Sequence, residues 1–308
     1  MNWMAERRSN RGGIAFGPAE GKNVSLKCFR ESLAGGLFAA AACICVLAVV
    51  LICAFLLANG IPGMVRIGVF DFLTGTRWKP GNNLYGIMPM ILGSLYVTAG
   101  ALLVGVPAGI LTALFMSRFA SRRMLKFMKP AVSLLAGIPS VVFGFFGLVV
   151  IVPLIRELFG GSGSSLLAAC VLLGMMILPT IITVSESALN AVPQSYYEGA
   201  LALGATHERA VFRVVLPAAK SGVAASVILG IGRAIGEAMA VMMVAGNRPA
   251  IPDSLVKGVR TLTSNIVMEM GYAADLHREA LIATAVVLFV FILSINLLLS
   301  ILKRRAGL

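Results

Sequence analysis

Long apolar runs separated by short polar stretches make up most of this chain, and the lengths of the runs define its elements. Five are plain: Gly36 to Ala58, Ile87 to Met116, Ala131 to Ile155, Leu166 to Thr183 with a polar extension to Leu189, and Leu281 to Leu302. A sixth, Gly222 to Gly246, is apolar except for Arg233 and Glu237. A helix of about 20 residues crosses a hydrocarbon layer of about 30 Å, so the pattern predicts an all-α membrane protein with six transmembrane helices. Residues 1–32, which include Arg7, Arg8, Arg11, Gly12 and Gly13, predict a solvated, mobile tail. No Gly/Ser-rich linker divides residues 33–308, so a single transmembrane domain is expected there.

Two runs carry helix-breaking residues. The second is interrupted by Gly105, Pro107 and Gly109, and the third holds Gly137, Ile138, Pro139, Ser140, Gly144 and Gly147. Such density in an apolar run means close helix contacts or a broken helix. Irregular backbone is tolerated at membrane depth where it is buried in protein or lines a cavity. Small-residue packing and a pathway-lining role, with Ser140 as a lining residue, both remain open. The fourth run turns polar at Thr180, Thr183, Ser185, Glu186 and Ser187, and Glu186 reads as an interfacial carboxylate.

Between the fourth and sixth runs lies a polar and basic island, residues 190–218. Pro193 suits a helix start, and Gln194 to Leu203 place Tyr197, Ala200, Leu201 and Leu203 toward one side. Gly204 breaks that helix. Thr206 can cap a second helix with Glu208 in its positive first turn, running to about Leu216 before Pro217. The product is a helix-turn-helix knob outside the bilayer, offering Arg209 and Arg213 to a soluble partner.

Composition agrees with this reading. The 308 residues are 58% hydrophobic and 13% charged, which excludes a soluble globular protein. Lys and Arg number six before the first run, five between the second and third (Arg118, Arg122, Arg123, Lys126, Lys129), three in the island region and three after the last run. The opposite side holds three, one and four, so both termini and the knob are expected to be cytoplasmic. The formal charge of +13 is spread over these loops, with no base-stacking platform to suggest nucleic acid. The five cysteines show no metal-type spacing.

Arg233 lies eleven residues into its run, about 16 Å along at 1.5 Å per residue, close to mid-membrane. An unpaired arginine there costs from about 3 to above 10 kcal/mol, so it must be paired or wet. Four residues on, Glu237 shares its helix face and can pair with it. The pair either steadies the bundle or serves an anion, because a guanidinium presents a fork of donors suited to oxyanions. Gly232 and Gly236 flank it and would let a substrate or a neighbouring backbone approach.

The island resembles the cytoplasmic coupling loop of ABC-importer permeases. Glu198, Gly204, Leu216 and Pro217 match that pattern, as does Ala200, while Gly199 replaces an alanine and Val214 an isoleucine. From about Phe70 to the C-terminus the chain is similar to PstC-type permeases of the phosphate ABC importer. The likeness rests on Gly-Arg-Ala-Ile-Gly-Glu at 232–237, Ala-Gly-Ile-Pro-Ser at 136–140 and Glu269-Met-Gly-Tyr-Ala-Ala-Asp-Leu-His-Arg-Glu. Ala238 departs from the usual threonine of that family and Arg118 from a frequent acidic residue. The resemblance implies the type I permease architecture, with ATPase coupling through Glu198, Gly199, Ala200, Gly204, Leu216 and Pro217. It implies a substrate pathway at Arg233, Glu237, Gly232, Gly236 and Ser140. It also implies a PstA-type second permease, two PstB-type ATP-binding subunits that hold ATP and magnesium, a PstS-type extracytoplasmic phosphate-binding protein, and a bacterial inner membrane.

This chain has no Gly-x-x-x-x-Gly-Lys-Ser/Thr loop, so ATP-driven transport would require an external motor and the chain itself would be no enzyme. No cofactor or metal is expected in it. The alternatives are an ABC permease for another oxyanion or small solute, an ATP-independent secondary carrier, and a polytopic membrane enzyme. His207 in the knob and His277 in the outer loop stand apart from any intramembrane site, and no His-Glu-x-x-His or Gly-x-Ser-x-Gly occurs.

Overall fold

The computed structural model describes the backbone of residues 20–305, with side chains described over 33–301 apart from Leu299. Residues 1–19, most of the expected tail, lie outside the described residues. The first helix, α1 (Glu20–Ile67), begins within that tail and ends later than expected. Contacts divide the chain at Phe55 into two units. In the first, Leu37, Phe38, Ile44, Leu47 and Leu51 are all exposed, as suits a helix whose surroundings are apolar.

The second unit holds the remaining helices. A short α2 (Val69–Thr74) and a two-residue hairpin, β1 (Trp78–Lys79) with β2 (Leu84–Tyr85), make an ordered segment before α3 (Met88–Leu114). α3 runs unbroken through Pro107 and ends in a π turn, Phe115–Phe119. The glycines of that run therefore mark close packing and not an interruption. A Cβ on Gly105 would meet Ile177 and the Gly174 carbonyl, and one on Gly109 would meet Ile181, so α3 and α7 (Leu166–Asn190) approach face to face.

The expected third span, Ala131 to Ile155, is not one helix. Ala131 to Gly137 belong to α4 (Arg122–Gly137), an amphipathic helix capped by Ser121 and carrying Arg122, Arg123, Lys126 and Lys129. Ile138 and Pro139 are extended, as sterics impose on the residue preceding a proline. The apolar span then runs from α5 (Ser140–Phe146) through a π turn, Gly147–Ile151, into α6 (Val152–Phe159).

The knob consists of α8 (Gln194–Ala202), α9 (His207–Ala210), a π turn at Val211–Val215 and α10 (Leu216–Ala218). The chain bends by 69° into α11 (Lys220–Gly236). Here too the expected continuous run, Gly222 to Gly246, is broken: Glu237 is extended and α12 (Met239–Val244) follows as a separate piece. Finally come α13 (Leu262–Glu269), started by a Thr261–Ser264 capping box, and α14 (Asp275–Arg305). Among the described residues five helices are long and apolar enough to cross a membrane, or six if the bent pair is one span.

Three apolar clusters hold the second unit together. The largest joins α3, α5, α7 and α12 around Ala101, Phe143, Leu172, Leu173, Met176 and Val244. A second gathers Phe72, Trp78, Tyr85, Ile87, Leu262 and Leu281 around the hairpin. A third seats the knob, with Val211 and Val215 against Ala113, Leu114 and Leu189. Beside the hairpin cluster, the buried Glu269 carboxylate accepts from Arg260 at 2.6 Å and Trp78 Nε1 at 2.8 Å, and lies 2.8 Å from His277 Nε2.

Candidate functional site

Arg233 occupies the last turn of α11, where the outward-pointing carbonyls of a helix C-terminus favour a cation. Its Nη1 donates to Thr180 Oγ1 on α7 at 3.3 Å. Thr180 follows Pro179 and is the first polar side chain where α7 turns from apolar to polar, which is the signal the sequence offers for this partnership. α11 and α7 are joined once more by Ser226 and Ser185, whose hydroxyls lie 2.8 Å apart in a buried contact.

The expected Arg233–Glu237 ion pair is absent among the described residues. The helix ends at Gly236, so the four-residue spacing no longer puts both side chains on one face. Glu237 instead ends α11 and lies two residues ahead of α12. Its carboxylate accepts from the Ala240 amide of α12 at 3.1 Å, and its carbonyl accepts from Thr263 Oγ1 at 2.9 Å. Each charge therefore meets the helix end that suits its sign, the extended backbone of Glu237 separating the two helices.

A Cβ built on Gly232 or Gly236 meets nothing within 4 Å, so both glycines border open space. Ser140, half-buried, is the first residue of α5 after the Ile138–Pro139 break. α5 and α12 pack together, Gly144 lying against Ala240 and Met243, so the two broken spans are neighbours. Ser140 makes no hydrogen bond to Arg233 or Glu237 among the described residues. A half-buried guanidinium with one hydroxyl partner, at a helix break beside open space, can bind and release an oxyanion without chemistry on it.

Toward the knob, Glu186 pairs with Lys129 of α4 at 2.9 Å. This carboxylate is thus tied to α4, a partner hidden in sequence because α4 was merged with the following span. Beyond it the knob forms as the cap and breaker residues dictate. Gly204 adopts φ +83, a left-handed conformation that glycine accepts freely, and Thr206 accepts from the Arg209 amide at 3.3 Å. The Glu208 carboxyl is held below its usual range, first by its own backbone N–H and then by the Thr206 hydroxyl.

Glu198 and Gly199 are exposed, Ala200 and Leu216 half-buried, and Pro217 exposed. An open groove of about 510 Å³ runs between the knob's two helical arms, lined by Tyr196, Gly199, Ala200, Leu203, Arg209 and Arg213. Leu203 at the tip is 91% exposed, an apolar side chain presented on a basic surface. Of the residues singled out in sequence, the structure gathers Glu198, Gly199, Ala200, Gly204, Leu216 and Pro217 into one knob. It sets Arg233, Gly232, Gly236 and Glu237 at one helix break.

Residues 105–307 match the family model of the binding-protein-dependent transport system inner membrane component. The probable ABC transporter permease protein YqgH of Bacillus subtilis (strain 168) is 40% identical over 273 residues, covering 86% of this chain and 88% of that protein. The phosphate transport system permease protein PstC of Mesorhizobium japonicum is 34% identical over 242 residues, covering 72% and 74%. The PstC of Pasteurella multocida is 34% identical over 262 residues, covering 77% and 82%. Among solved structures, the inward-facing MetNI methionine ABC transporter is similar with a TM-score of 0.55 at 21% identity, over 74% of this chain and 99% of that one. A bacterial ABC transporter that imports the acidic polysaccharide alginate gives 0.56 at 15% identity, over 85% and 95%. At these identities the structures speak for the fold alone.

Proposed function

The chain belongs to the binding-protein-dependent transport system inner membrane components, and we propose that it is the PstC-type permease subunit of an ATP-driven inorganic phosphate importer. It is a multi-pass membrane protein of the type I permease fold, a transport component and not an enzyme. The observation that carries the substrate class is Arg233, a cation at the end of α11 inside an apolar span, bordered by open space at Gly232 and Gly236. A neutral solute would not warrant a cation at that depth. The relatives named for phosphate transport select phosphate within the oxyanion class.

In this reading Arg233 is the anion contact. Thr180 orients the guanidinium, Gly232 and Gly236 leave room for substrate, and Ser140 offers a hydroxyl from the neighbouring broken span. Glu237 shapes the break by fixing the start of α12 and does not neutralise Arg233. Residues 33–308 form the permease domain, with residues 1–32 as a cytoplasmic tail and residues 190–218 as the coupling loop. A PstA-type permease completes the pathway. Two PstB-type subunits hold ATP and magnesium and grip the knob at Glu198, Gly199, Ala200, Gly204, Leu216 and Pro217. A PstS-type protein delivers phosphate from outside a bacterial inner membrane, and both termini lie in the cytoplasm.

Closure of the ATPases then displaces the knob, and the short path from Pro217 through α11 carries that displacement to Arg233, exposing it alternately to the two sides. The test is radiolabelled phosphate uptake by the reconstituted complex, competed with sulfate and molybdate. Phosphate uptake that resists both competitors is expected. Preferential uptake of either competitor would replace phosphate with another oxyanion, and uptake without ATP would make the chain a secondary carrier.

A further inference from the structure

Arg118 stands in the π turn that ends the second span, and its guanidinium is divided among three partners. Nη2 donates to the Leu189 carbonyl in the last turn of α7 at 2.9 Å. Nη1 donates to Gln194 Oε1 at the first residue of α8 at 3.2 Å. The Cζ lies 5.9 Å from the centroid of the Tyr197 ring, on the same knob helix.

From Tyr197 the contacts continue. Its hydroxyl is 2.7 Å from His207 Nδ1 in α9, and the His207 ring meets Phe119 edge-on with centroids 4.6 Å apart. Phe119 adjoins Arg118 in the chain, so the contacts close a ring from the end of α3 through both arms of the knob and back. Beside the ring, Ser117 Oγ donates to Asn190 Oδ1 at 2.6 Å, a second tie between α3 and the end of α7.

The ring keeps Arg118 Nε buried without a partner, a local cost accepted in return for the other contacts. The planar fork is what allows the arrangement. Two donors in fixed geometry bind a carbonyl of α7 and an amide oxygen of α8 together, while the flat face covers Tyr197. The Leu189 carbonyl is also one of those left open at a helix C-terminus, where a cation binds best.

We propose that Arg118 is a positioning residue that clasps the knob to α3 and α7 as one body. It rests on the reading that an ATPase docks on the knob. Motion of the knob then reaches Arg233 by two routes. One is the chain itself, through Pro217 into α11. The other is the clasp, which carries α7 and with it Thr180, the hydroxyl partner of Arg233. Close packing of α3 on α7 at Gly105 and Gly109 makes that pair stiff enough to transmit the displacement.

The experiment measures phosphate imported per ATP hydrolysed in proteoliposomes holding the whole complex, for wild type, Arg118→Ala, Arg118→Lys and Tyr197→Phe. The expected result is a ratio at least fivefold below wild type for Arg118→Ala with the ATPase still bound, a partial return for Arg118→Lys, and a smaller loss for Tyr197→Phe. A ratio within twofold of wild type for Arg118→Ala overturns the clasp. Should Arg118→Ala fail to assemble, Gln194→Ala and Tyr197→Phe decide: a lowered ratio in both supports the clasp, and an unchanged ratio in either overturns it. A wild-type chain that captures no ATPase overturns the docking reading and the clasp with it. Import of a different oxyanion corrects the substrate alone, and the same ratio for that anion then judges the clasp.

Discussion

Arg233 Nη1 donates to Thr180 Oγ1 at 3.3 Å, so the cation ending α11 is held by a hydroxyl on α7 and not by a carboxylate. A hydroxyl leaves the positive charge uncancelled and available to an anion. The two helices that share this contact are the ones linked below it by Ser185 and Ser226.

Replacing the cation should therefore remove transport and spare the fold. Arg233→Ala is expected to lower phosphate uptake to about a hundredth of wild type, the scale of a lost charge-assisted contact of about 3 kcal/mol. Assembly with the partner subunits should persist. Thr180→Val removes only the orienting hydroxyl, at about 1 kcal/mol, and should raise the apparent KM for phosphate roughly fivefold. Wild-type uptake by Arg233→Ala would sink the assignment.

Glu237 separates a capping role from an ion-pair role. Its carboxylate holds the Ala240 amide, and a glutamine oxygen can do the same. Glu237→Gln is thus expected to retain most uptake and thermal stability, whereas Glu237→Ala should lose about 0.5–2 kcal/mol, the usual size of a lost helix cap. If Gln proves as damaging as Ala, the charge matters in a way this geometry does not explain.

At the knob, Gly204 sits at φ +83 with open space around its Cα, so a side chain there meets strain and no clash. A left-handed β-branched or bulky residue costs roughly 1–2 kcal/mol, enough to reset the turn between α8 and α9. Gly204→Val should reduce ATPase co-purification severalfold while the spans remain folded. Undiminished capture would count against docking at this turn.

The knob and the apolar spans were legible because their signals are local. Pro193, Gly204 and Thr206 act within a few residues of themselves, and the helices they start or stop appear where expected, whereas Pro217 does not end its helix: it lies in the first turn of α10, after a π turn that divides the second arm. The breaks at Ile138–Pro139 and Glu237 were less legible, since hydrophobic runs continue across both. At Glu237 the deciding partner, Thr263, lies 26 residues away, and no spacing rule reaches that far. The same holds for Lys129 with Glu186 and for Arg118 with Leu189, where charge type was visible but partner was not.

The network at Glu269 offers a test of the fold independent of transport. Glu269 is buried with two cationic or titratable partners and the Trp78 indole N–H, so its carboxylate joins the β1–β2 hairpin, the α12–α13 connection and the first turns of α14. Removing one partner of a buried pair leaves the other charge uncompensated, at about 3–5 kcal/mol. Glu269→Ala strands Arg260, whose side chain is only 11% exposed, and should lower the unfolding temperature of the detergent-purified chain well below wild type. Trp78→Phe removes one neutral donor and puts a smaller ring in a buried site, so it should cost about 1–3 kcal/mol from the lost hydrogen bond and the space left behind. The order of the two is the decisive quantity: if Trp78→Phe destabilises more than Glu269→Ala, the apolar packing of the hairpin cluster and not its charge network holds this end of the molecule.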